Sequence, residues 1–162
     1  MKVKIYKHKY LSADHENMGI ISSFMRADHE RLAEVFRQFS AAREKDMESA
    51  KVSFSVLDSE VRRHFDLEEQ VLFPLFEEKT GTSSLNSKAS VLRIEHKQVL
   101  ECMCRIKSML DDGNLETAYV ENRILEIMKS HRDNENNIVY PWLDEALTSE
   151  EIKETDSRMR KC

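Results

Sequence analysis

Turn-forming residues are scarce in this sequence, with three glycines and two prolines among 162 residues. Leu, Glu, Lys, Met, Ala and Arg are plentiful instead, which predicts helix throughout. The length suits one domain with a sizeable core and is short for two. Long apolar runs are missing too. None approaches the roughly 18 to 20 residues that a membrane span requires. The opening MKVKIYKHKY lacks the hydrophobic stretch of a secretory leader, so the expected location is the cytoplasm. There is no excess of positive charge: the net charge of -5 argues against a nucleic acid or an anionic membrane as partner, because phosphate binding needs a positive surface. Cysteine is limited to three residues. Cys102 and Cys104 stand too close on a helix to face each other, and Cys162 lies at the tail. With no CxxC pair, unpaired thiols are expected rather than a disulfide framework.

What the sequence does carry is a repeat. The stretch HFDLEEQVLFP, His64 to Pro74, returns 67 positions later as HRDNENNIVYP. His131 falls over His64, Glu135 over Glu68, Tyr140 over Phe73 and Pro141 over Pro74. The same offset carries His29 onto His96 and Asp28 onto Glu95. Each copy therefore reads as a histidine, a second histidine 35 positions on, and a glutamate four beyond that. Residues four apart on a helix leave one face, about 6 Å apart at the β carbons, so each His-Glu pair is half of a candidate metal site.

Apolar spacing predicts four long helices. The first runs from about Asn17 to Arg43, with Met18, Ile21, Met25, His29, Leu32, Phe36 and Phe39 on one stripe. Asp46 is the expected N-cap of the second, and Gly81 its stop; Pro74 predicts a kink or an early end near Phe73. Ser83 or Ser84 is expected to cap the third, whose stripe includes Leu92, His96, Val99, Met103 and Ile106. After the turn DDGN, Asn114 opens the fourth, and Thr148 with Glu151 resembles a capping box for a short last helix. Short connections predict an antiparallel up-down-up-down four-helix bundle. The expected division is an N-terminal arm at residues 1–13, the bundle at 14–147, and a short C-terminal helix or tail at 148–162.

Counting to the turns puts His29, His64, Glu68, His96, His131 and Glu135 at nearly equal heights along the bundle. His15 lies fourteen residues before His29, about 21 Å along a helix, and cannot join that layer. A lone histidine on an apolar stripe is ordinarily a hydrogen-bonded core residue. Four histidines and two glutamates at one height are a different matter, because buried carboxylates are found paired or on a cation. Imidazole nitrogen with carboxylate oxygen suits iron or manganese, and zinc with lower fidelity.

These motifs resemble the hemerythrin-like (HHE cation-binding) domain over residues 12 to 147. The resemblance implies two non-haem iron ions, joined by an oxo or hydroxo bridge, inside a four-helix bundle. His29 and His64 would hold one iron, His96 and His131 the other, and Glu68 and Glu135 would bridge them. Oxygen-carrying members have a fifth histidine one turn beyond the third-helix ligand and an aspartate bridge; this sequence has Leu100 and Glu135 there. Each iron is then expected to keep an open position, making a more reactive centre. The set is similar to that of iron-centre repair proteins and some hemerythrin-like sensors, although the paired cysteines that repair proteins carry ahead of the bundle are not in this sequence. The functions implied are binding or reaction with a small diatomic, oxygen or nitric oxide, or iron handling under oxidative or nitrosative stress. A non-catalytic iron or oxygen sensor or storage module, and a structural bundle holding zinc, are the alternatives.

Around the six, Asp28 and Glu95 are expected to be solvated, since adjacent residues on a helix point about 100° apart. Glu60, one turn before His64, is expected to line the pocket. Met25, Leu32, Ala33, Val99, Leu100, Met128 and Ile138 are expected to be core that keeps it dry.

Overall fold

Helix termini set the frame. In the computed structural model, which describes residues 18–82 and 87–161, α1 spans Ile20–Arg43 and α2 Met47–Leu67. Then come α3 (Phe73–Thr80), α4 (Lys88–Asp111), α5 (Ala118–Asn134), α6 (Tyr140–Ala146) and α7 (Ser149–Met159). No strand occurs among the described residues. The expectations for the arm at 1–13, for His15 and for Ser83 and Ser84 as caps lie outside those residues. The cap of α4 is Ser87, whose hydroxyl accepts from the Ser90 N–H. Similarly α5 begins after Thr117 rather than at Asn114, whose side chain instead accepts from Glu116 N–H within the turn.

The prolines do not end their helices. Glu68–Leu72 and Glu135–Val139 are single π-helical turns, and in each the following N–H, from Phe73 or Tyr140, donates to the carbonyl of the glutamate five residues back. A proline removes one N–H and crowds the preceding turn; widening that turn lets the rod continue. α2 with α3, and α5 with α6, therefore form two long interrupted rods. Gly81 closes the first at φ 64, a left-handed conformation that glycine adopts without steric cost.

Long-range caps tie the rods together. Nothing in its own sequence caps α1; the Asp144 carboxylate on α6 accepts from Ile21 N–H (2.9 Å) and Ser22 N–H (3.0 Å). That carboxylate lies where a β carbon on residue 19 would be, so Gly19 makes room for it. At the other end of α1, Ser40 donates to buried Glu121 on α5, which also accepts from Thr117. α7 starts with a complete Thr148–Glu151 capping box, as its sequence predicts, and packs on α1.

The core is split into two. One cluster gathers Ile21 and Met25 with Leu67, Leu72, Phe73, Leu92, Val139 and Tyr140. The other gathers Phe39 with Phe54, Leu57, Phe65, Val99, Met103, Ile106 and Ile124. On α1, α4 and the α5 rod, the histidine lies in sequence between residues of one cluster and residues of the other, so a polar layer is left between two apolar ones.

Candidate metal centre

His29, His64, His96 and His131 come from α1, α2, α4 and α5, while Glu68 and Glu135 each open a π turn. All six are buried, five of them completely. They form two groups that share both glutamates. His29, His64, Glu68 and Glu135 make one and His96, His131, Glu68 and Glu135 the other, with one donor atom from each residue within 4.8 Å of the others in its group. Every Nε2 points inward. Those of His64 and His96 lie 3.5 and 3.1 Å from Glu68 Oε2, and those of His29 and His131 lie 3.3 and 2.8 Å from Glu135. Each glutamate thus touches one histidine of each group.

The outer nitrogens explain this orientation. His64 Nδ1 meets Asp28 Oδ2 at 2.8 Å, His96 Nδ1 meets Glu69 Oε1 at 2.8 Å, and His131 Nδ1 meets Glu95 Oε2 at 2.9 Å. A carboxylate can only accept, so each Nδ1 carries a hydrogen, and in the neutral ring each Nε2 turns a lone pair toward the centre. The Nε2 atoms of His96 and His131 face each other at 3.2 Å. His29 Nε2, His64 Nε2, Glu68 Oε2 and both Glu135 oxygens are buried with no hydrogen-bond partner among the described residues. Several lone pairs aimed at one dry space are stable only around positive charge.

The electrostatics agree. Burial disfavours the charged form of His64, yet the Glu68 charge and the Asp28 hydrogen bond raise its pKa above the ordinary value. His131 is likewise pushed up to about 9 against burial, chiefly by Glu135. Burial would raise Glu135, but contacts with His131 and His29 hold it well below the usual carboxylate range. Tyr140, whose hydroxyl donates to Glu68 Oε1, is pushed well above its usual value by burial and by both glutamates. Its proton therefore stays in place.

Residues 20–143 match the family description of the hemerythrin HHE cation-binding domain. The chain belongs to that family. No curated protein and no solved structure matches it. The inward-facing donors and their missing partners fit a bound cation.

Two expectations about this HHE centre are corrected. Asp28 and Glu95 are not solvated: the 100° step that turns each away from the histidine beside it turns it toward a histidine on the neighbouring helix. Glu60 does not line the pocket but pairs with Arg31 and Arg63, and these two arginines also hold Asp28. Val61 takes the pocket position instead. Sequence reasoning missed Glu69, although it stands only five residues after His64 in the repeated stretch. Cys102 and Cys104 are both free thiols.

Proposed function

We propose that this chain is a non-haem di-iron protein that binds or reacts with a small diatomic, oxygen or nitric oxide, or handles iron under oxidative or nitrosative stress. His29 and His64 would hold one iron, His96 and His131 the other, and Glu68 and Glu135 both. One observation carries the reading: two four-donor groups share a pair of buried glutamates whose inward oxygens lack hydrogen-bond partners. Iron bound there would supply one-electron redox chemistry and a position for a diatomic ligand. The same reading takes the rods as an antiparallel up-down-up-down bundle, supported by the three-residue link between α1 and α2.

The protein's own groups have separable tasks. Asp28, Glu69 and Glu95 fix ring orientation and basicity. Tyr140 holds one Glu68 oxygen and leaves the other for the centre. Leu32, Val61, Val99 and Met128 line an apolar space that reaches His29, admitting a small neutral molecule and disfavouring water.

The test is metal analysis of protein purified without chelator, with absorption spectra taken after anaerobic reduction and again after adding oxygen or nitric oxide. The expected result is two irons per chain and a spectrum that responds to the gas. Stoichiometric zinc, or a spectrum blind to both gases, would overturn the reading.

A further inference from the structure

The two copies of the repeat differ at the residue after the second histidine. In one it is Phe65, whose ring stacks on His96 with centroids 3.8 Å apart. In the other it is Arg132, which is exposed. Where Phe65 fills space beside His96, its counterpart leaves space beside His29. A cavity of about 130 Å3 lies there. Leu57, Phe65, Val99 and Ile124 wall its buried side, while Leu125, Lys129 and Arg132, all exposed on α5, line its outer edge.

Two cations stand at this edge. Arg37 pairs with Glu34 and Arg123 with Glu126. Lys129 and Arg132 have no ion-pair partner among the described residues. An apolar slot that opens onto two unpaired cations is complementary to a hydrocarbon tail ending in an anion. Dry apolar cavities of about 150 Å3 admit benzene, so this one has room for about six carbon atoms. We propose that the cavity is a binding site for a medium-chain alkyl carboxylate. The tail lies inward toward His29 and the carboxylate sits between Lys129 and Arg132. This site does not depend on which metal, if any, the centre holds.

The test is calorimetric titration with linear carboxylates from butanoate to decanoate and with heptan-1-ol, the metal content being measured in the same samples. Affinity should rise about fourfold per methylene up to roughly heptanoate and then stop rising. Heptanoate should bind more tightly than heptan-1-ol. The double variant Lys129→Glu with Arg132→Glu, on the exposed face, should keep its melting temperature and metal content, lose roughly tenfold in heptanoate affinity, and bind heptan-1-ol as before. Ala33→Leu, which fills the slot, should weaken both ligands. No binding, a flat chain-length series, or heptanoate affinity untouched by the charge reversal overturns the proposal; the last result would put the carboxylate at the metal centre. Iron-free protein that shows the expected pattern supports this site while refuting the di-iron reading.

Discussion

The two halves of the centre share their donors but not their surroundings. His96 and His131 each rest on an outer carboxylate, Glu69 and Glu95, and His96 lies between Phe65 and Phe73. On the other side only His64 has such a support, Asp28, and two arginines draw on that same carboxylate. His29 Nδ1 has no hydrogen-bond partner among the described residues, and its neighbouring space is the cavity. Repeat arithmetic locates the cause. Glu69 corresponds to Asn136, Phe65 to Arg132, Arg31 to Gln98 and Arg63 to Ser130. One half is packed and oriented; the other borders a cavity. A duplicated donor set thus yields a firmly held position beside a more accessible one.

The largest effect should come from what the halves share. Glu135→Ala removes a donor from both groups, so both metals of the proposed centre should be lost; at a thousandfold excess of metal over Kd that forfeits ~4 kcal/mol at each position, ~8 kcal/mol together. Calorimetry should then show a melting temperature lower by roughly 20 °C. A variant that keeps full metal occupancy would refute sharing.

Next come the outer carboxylates. Glu95→Gln should weaken one metal by roughly 10- to 100-fold, and Asp28→Asn the other. Competition with a chelator would resolve the two; equal loss from both positions in either variant would erase the distinction between halves.

A gain should be obtainable from Asn136→Glu, which gives the open half the carboxylate its counterpart has. Metal at the His29 position should tighten by about tenfold, and an unchanged affinity would mean that His29 is oriented by something else.

The smallest effect serves as a control away from the centre. Contacts with Lys79 and the Thr148 cap lower the half-buried Glu151 carboxyl from 4.5 to about 2. Because the folded value is depressed, its contribution is complete above pH 4.5 and is lost as pH falls toward 2. Amide exchange in α7 should quicken over that window at unchanged metal content near its upper end. Exchange that ignores pH there would show that the Lys79 and Thr148 contacts do not hold the helix.

Much of this was readable before any coordinates. The helical class, the Gly81 stop, the Asp46 and Thr148 caps and the residues that meet in the polar layer all follow from spacing, because i to i+4 relations are internal to one helix and a 67-residue repeat states them twice. The outer shell was not readable. Asp28, Glu69 and Glu95 each serve a histidine on another helix, and that depends on how helices are rotated against each other, which periodicity does not encode. The π turns were also hidden, since Pro74 and Pro141 signal a break without saying how the chain absorbs it.

The amino-acid sequence by itself determined which side chains leave the buried stripe of each helix and at what height, since 3.6-residue geometry is local. Tertiary structure alone decided which carboxylate orients which imidazole and that a cavity, not a ring, stands beside His29. Those are contacts between helices, where a single exchange of Phe for Arg changes what the same backbone encloses.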